Sequence, residues 1–273
     1  MKPIVVPVNF SIISDHAARY AADLAAAIGG KLHLFHVLQI PPSFSEYPMP
    51  ESAFEALRDS AAERLDLLAA DLVKRTASKV PVVTDLKIGS IDHKLRIYCD
   101  DVKPFLIIMG AAGSPLDRFL SGSATLDALK HLAIPLLVVP ESASFYKPGR
   151  ILLACDLEDI RTGMADGLGF LRDLKELFGS QFEVVNVTTP GDEGKGQAEF
   201  AFSAWRARLR DIHPELHFVH NHTVSQGVEG YLKEHPADWL VVFPKKHSFY
   251  ELHKSRTRKI VLQSHLPVMS IHE

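Results

Sequence analysis

The chain has 273 residues, 47% hydrophobic and 23% charged, which fits one large or two average globular domains with a real core. A net charge of −3 and a pI near 6.5 exclude a broad basic field for nucleic acid or anionic membrane. No apolar run approaches the roughly 20 residues of a spanning helix, and Cys99 and Cys155 match neither a disulfide framework nor a metal spacing. The N-terminus MKPIVVPVNFS also lacks the long apolar region of a signal peptide, so the expected location is cytoplasmic.

In chain order, Ile4–Val8 is a short apolar run suited to a buried strand. Ala17, Tyr20, Ala21, Leu24, Ala25 and Ile28 then recur at helical spacing, with Ser11 or Ser14 to cap the helix and Gly29-Gly30 to end it. Lys31–Val37 reads as a second strand, residues 51–78 as a long helix, Val82–Leu86 as a third strand and Ile91–Cys99 as a short helix. Phe105–Met109 is the fourth strand; a helix near Ser123–Leu132 and strand Leu136–Val139 complete the unit.

The second half repeats this plan. PIVVPVNFS is answered by RILLACDLE, KLHLFHV by QFEVVNV, FLIIMG by WLVVFP, and IPLLVVP by LPVMSIH. The early pairs are offset by about 147–150 residues and the late ones by about 132–134, a drift that loop insertions produce. A tandem duplication is expected, with domains at 1–141 and 150–273 and a polar join at Ser142–Gly149. Strands alternating with helices predict two doubly wound, parallel five-stranded sheets, each in the order 3-2-1-4-5.

In such sheets ligands bind beyond the carboxyl ends of the strands, where strand order reverses. That crevice would lie between strands one and four, beside Asn9–Ser11 and Gly110–Gly113. The stretch MGAAGSPLDRFLSGSAT follows strand four. Its glycines allow close backbone approach, and Gly122, Ser123, Ala124 and Thr125 open a helix whose free N–H groups favour an anion. A G-x2-G pair alone is weak, but its place after strand four and before a helix cap favours phosphate binding.

On these residues the chain resembles the universal stress protein family in a tandem form. ATP-binding members carry G-x2-G-x9-G-[ST] after strand four and an acid after strand one. This chain has Gly110-x2-Gly113-x8-Gly122-Ser123, one residue shorter, and Asn9 where the acid stands. The resemblance implies an adenine-nucleotide-hydrolase-like fold and a stress-response role in which ATP or another adenine nucleotide, with or without Mg2+, is sensed rather than efficiently turned over. It would put Pro7, Asn9 and Val37 around the adenine and ribose and Met109 beside the base. Gly110, Gly113, Gly122, Ser123 and Thr125, with the amide of Ala124, would hold the phosphates. It also implies unidentified protein partners and an intramolecular pseudo-dimer through the last strands, Leu136–Val139 and Val268–Ile271, with a homodimer as a further assembly.

In the second half, Gly110, Gly113 and Gly122 align with Pro244, His247 and Lys254, whereas Ser255 and Thr257 are kept and Asp156 stands after its first strand. Proline removes a donor and the larger side chains fill the loop, so nucleotide is expected only in the first half. Lys245, Lys246, His247, Lys254, Arg256, Arg258 and Lys259 form a basic patch, read as a solvated face ahead of an anion site. His217, His220 and His222 read as exposed strand residues ahead of a zinc site, with His220 and His222 on one face. Ser11, Ser14, Asp15 and His16 read as capping residues ahead of a nucleophilic triad. No catalytic or metal-ligating residue is assigned. The alternatives are a nucleotide-processing enzyme of the related α/β class, such as an adenylyl transferase or hydrolase, and an interaction scaffold without ligand.

Overall fold

A computed structural model describes residues 1–39, 50–111, 134–154, 165–190, 207, 209–243 and 265–271. It divides into two compact units, Met1–Phe145 and Tyr146–Glu273.

The first unit is built on strands β1 (Pro3–Pro7), β2 (Lys31–Leu38), β3 (Val82–Ile88), β4 (Leu106–Ala111) and β5 (Leu136–Pro140). They are ordered β3-β2-β1-β4-β5 and every pair is parallel. Ile4, Val5 and Val6 in β1 and Leu106, Ile107 and Ile108 in β4 are fully buried. Central strands covered on both faces need such continuous apolar runs.

Three described helices cover this sheet: α1 (Ile12–Ile28), α2 (Glu51–Arg75) and α3 (Ile91–Val102); the helix expected near Ser123–Leu132 lies outside the described residues. Helix α1 begins at Ser11, whose hydroxyl accepts from the Ser14 N–H, and ends at Gly29 in the left-handed conformation (φ 62°). Between the expected caps Ser11 and Ser14, Ser11 is therefore the one used. Helix α2 stops at Arg75, short of the expected residue 78, because Ala77 and Ser78 adopt φ of 48° and 60°. Its last turn is tied to α1 by the two-pronged contact of Arg75 with Asp23, at 2.8 and 2.7 Å. Helix α3 packs on the other face. Its Tyr98 meets His33 and Phe35, whereas Phe10, beside Arg64 of α2, meets His36, and odd and even residues of β2 point to opposite faces.

The second unit has strands β6 (Arg150–Ala154), β7 (Gln181–Thr188), β8 (Glu215–His220), β9 (Trp239–Val242) and β10 (Val268–Ser270). Their order, β8-β7-β6-β9-β10, is again 3-2-1-4-5 and parallel. Helix α4 (Ala165–Phe178) follows β6 and helix α5 (Val224–Glu234) follows β8. Leu152, Val185, Val228, Tyr231, Leu240 and Val242 form the core under α5. The start of β6 is clasped by Asp238, whose Oδ2 accepts from the N–H groups of Gly149 (2.6 Å) and Arg150 (2.8 Å).

The two units match residue for residue in their strands. Ile4 pairs with Leu32 and Leu106, while Ile151 pairs with Phe182 and Trp239. Continued along β4 and β9, this register sets Gly110 level with Phe243, not Pro244. The expected alignment was one residue too long, because apolar runs fix which strands correspond but not which rung.

Candidate nucleotide site

The carboxyl ends of β2, β1 and β4 lie side by side, so the loop after β1 stands where connections leave the sheet in opposite directions. Pro7 closes β1 and is half-buried, while Val37 and Met109 are buried in β2 and β4. The β1–β2 register, carried two residues past Pro7, sets Asn9 level with Val37, and the β1–β4 register sets Pro7 level with Met109. The structure thus brings Pro7, Asn9, Val37, Met109 and Gly110 to one edge. Gly113, Gly122, Ser123, Ala124 and Thr125 lie outside the described residues.

Gly110 departs from its expected place. It belongs to β4 rather than to the loop after it, and it is buried. A Cβ here would fall 2.5 Å from the Ile13 carbonyl oxygen and 2.6 Å from Ile13 Cγ2. The missing side chain lets the first turn of α1 sit directly on β4, a packing need visible only once the helix is placed. This explains the glycine without a ligand, while its position at the end of β4 keeps it on the site's edge.

The β1–α1 loop is held from several sides. Asn9 Oδ1 accepts from the Ser11 N–H (3.1 Å) and from the Ser11 hydroxyl (2.7 Å). A backbone N–H can only donate, so the atom facing it is the carboxamide oxygen. The Asn9 N–H meets Ser14 Oγ at 3.4 Å, and Ser14 Oγ donates to the Ser11 carbonyl at 2.9 Å. Ser11 thus caps the helix, and Ser14 ties its first turn to the loop.

Phe10 follows in a left-handed conformation, φ 60°, which a bulky residue adopts only when its surroundings compel it. Its ring lies 4.4 Å from the His36 ring and 4.4 Å from the Arg64 guanidinium, and Arg64 also reaches the Phe10 carbonyl at 3.4 Å. His36 Nδ1 lies 2.7 Å from the Val8 carbonyl, which can only accept, so Nδ1 carries the proton. Burial holds the His36 pKa below its ordinary value. The Val8 contact opposes that shift and the nearby Arg64 charge adds to it. Neither Phe10 nor His36 stood out in the sequence. Their signal, an aromatic three residues past a strand and a histidine near the end of the next, acquires meaning only with the register.

The other constellations resolve as follows. His217 and His220 lie on opposite faces of β8, and His222 lies beyond the strand, so His220 and His222 do not share a strand face. His220 and His222 are exposed, but His217 is half-buried, its ring 5.1 Å from Tyr231 and 5.8 Å from His235. Among the described residues, no group of three His, Cys, Asp or Glu side chains converges for a metal. No described helix is long and apolar enough to cross a membrane. Cys99 is buried, which pushes its thiol pKa up to about 12. Cys155, Asp156 and the basic patch Lys245, Lys246, His247, Lys254, Arg256, Arg258 and Lys259 lie outside the described residues, as does Pro244.

The profile of the Universal stress protein family matches residues 1–140. Universal stress protein MJ0531 of Methanocaldococcus jannaschii is 28% identical over 144 residues, covering 50% of this chain and 81% of that protein. Universal stress protein G of Shigella flexneri is 27% identical over 143 residues, covering 50% of this chain and 98% of that protein. The crystal structure of a universal stress protein from Archaeoglobus fulgidus covers 100% of this chain, and 96% of its own, at a TM-score of 0.73 and 14% identity, a likeness of fold.

Proposed function

From the premise that this chain belongs to the universal stress protein family, we propose that it binds an adenine nucleotide in its first unit and acts as a sensor or regulator rather than by turnover. The second unit is then a repeat whose site has been lost. The observation that carries the reading is the span of the family match: residues 1–140 contain the complete first sheet with its switch point. There Pro7, Asn9, Val37, Met109 and Gly110 share one edge, and the glycine-rich stretch through Gly113 and Gly122 continues from it. Binding rather than turnover fits a chain without the G-x-x-x-x-G-K-[ST] loop that holds phosphates for transfer. Bound between the sheet edge and that stretch, a nucleotide would set its base against Val37 and Met109 and its phosphates against the backbone N–H groups.

The test is calorimetric titration of the full chain with ATP, ADP and AMP, and analysis of the products after incubation. Gly113→Lys, which fills the loop, is expected to abolish binding, and His247→Ala to leave it unchanged. Equal losses from the two substitutions would sink the assignment to the first unit. Rapid release of phosphate or pyrophosphate would replace the sensor by an enzyme.

A further inference from the structure

Asn9 decides what kind of ligand atom the β1 side of this crevice can meet. A carboxamide has a single acceptor atom, its oxygen, with two lone pairs. In Asn9 that oxygen already takes two hydrogen bonds from Ser11, at 3.1 Å from the backbone N–H and 2.7 Å from the hydroxyl. The neighbouring carbonyls are engaged as well: Val8 by His36, Phe10 by Arg64, and Ser11 by both the Ser14 hydroxyl and the Asp15 N–H. Among the described residues, what the exposed Asn9 side chain has left to offer is its NH2 group, a donor.

We propose that Asn9 is a donor-only, specificity-determining contact. It selects ligand atoms that accept hydrogen bonds, such as phosphoryl or ring-nitrogen acceptors, and gives no hold on a sugar hydroxyl proton or a Mg2+ ion. This rests on the function proposed above and narrows it to nucleotides taken without a metal ion at Asn9, their ribose oxygens meeting it only as acceptors. A carboxylate at position 9 would differ in kind. One oxygen could keep the two Ser11 bonds while the second, carrying negative charge, faced the ligand. The α1 cap is therefore compatible with either residue, and only the ligand-facing chemistry changes.

The test titrates the full chain with ATP and with 2′,3′-di-O-methyl-ATP, whose ribose oxygens still accept but no longer donate, each in Mg2+ and in EDTA. The wild-type protein is expected to bind both nucleotides within about threefold of each other, and within about threefold with and without metal. Asn9→Asp should acquire a preference of about tenfold for ATP over the methylated compound, and a dependence on Mg2+ of similar size. Should Asn9→Asp not fold, Ser11→Ala carries the test. It removes the 2.7 Å hydroxyl bond and frees one lone pair, so a preference of several-fold for the free ribose hydroxyls should appear. A tenfold wild-type preference for ATP over the methylated compound overturns the proposal while leaving nucleotide binding standing. So does equal binding of the two compounds by the variant. If the wild-type chain binds neither compound, the proposed function falls and this inference falls with it.

Discussion

At the end of β4 the first unit has Gly110, and at the matching rung past β9 the second has Phe243. In the first unit the glycine admits Ile13 of α1 against the strand. In the second, Phe243 is buried and the small residue sits on the helix instead: a Cβ on Gly167 of α4 would fall 3.5 Å from the Phe243 ring and 3.0 Å from Ile271. The small residue is on the strand in the first unit and on the helix in the second. A second pair shows the same exchange with polar groups. Tyr98 of α3 bonds His33 of β2 at 2.8 Å, and Tyr231 of α5 bonds Glu183 of β7 at 2.9 Å. His33 and Glu183 are matched rungs, each opposite the middle residue of the unit's first strand. The fold requires a partner for the tyrosine hydroxyl, and it accepts an imidazole in one unit and a carboxylate in the other.

The largest effect is expected from forcing one solution into the other unit. Gly110→Phe should destabilise the chain by about 3 kcal/mol, because the obstacle is the Ile13 backbone and no rotamer relieves it. The urea midpoint measures this, and a loss below about 1 kcal/mol would mean that α1 can shift freely on β4.

The tyrosines come next. Tyr231→Phe strips one bond from a buried carboxylate whose other oxygen is held by Arg150 at 3.1 Å, and should cost about 2 kcal/mol. Tyr98→Phe faces the neutral-form His33 and should cost about 1 kcal/mol. Equal losses in denaturant titration would mean that the partner's charge does not matter at these rungs. Both hydroxyls stay protonated, Tyr98 with its pKa pushed up to about 12 chiefly by burial and Tyr231 raised chiefly by burial and then by its Glu183 bond.

The helix caps should not distinguish the units. Ser11 caps α1, and Thr223 caps α5 by accepting from the Gln226 N–H. Ser11→Ala and Thr223→Ala should each cost about 1 kcal/mol in the same assay. A Ser11 loss well beyond that would show that its bonds to Asn9 add to the cap.

The smallest effect is one of pH. Burial first, and then the Lys31 charge, lower the pKa of His33, against the opposing field of Asp85. Below the unfolded value near 6.5 the unfolded chain takes up a proton that the folded chain refuses. Stability is therefore expected to fall as pH drops from about 6.5 toward the folded pKa, with the half-buried His36 adding in the same direction. The urea midpoint followed from pH 7.5 to 5.5 should slope downward, and His33→Gln should flatten that slope; an unchanged slope would exclude His33 as a cause.

The strands, their order and both α1 caps were legible in the sequence. Continuous apolar runs, a serine before a helical period and a glycine after it are local signals with few alternatives. What escaped depends on contacts across strands. Gly110 reads as a loop glycine until Ile13 is seen beneath it, and the Pro244 alignment fails by one rung. The two tyrosines stand eight residues after Ser90 and Thr223, which start their helices. That shared spacing was in plain view, but its meaning needed the partners on β2 and β7. His217 looked exposed because a half-buried edge-strand histidine has the same neighbours in sequence as a solvated one. The positive φ of Phe10 has no sequence signal, since bulky residues seldom adopt it.

The clasp of Asp238 on Gly149 and Arg150 joins groups 88 and 89 residues apart. A ribosome adding about 5–20 residues per second needs roughly 4–18 s to cover that distance. Through this interval β6, the central strand of its sheet, lacks both its clasp and its neighbour β9, whereas every strand of the first unit has already been made. Vectorial synthesis thus gives the first unit a head start, and a chain that contains two similar sheets can complete one before the other offers competing strands.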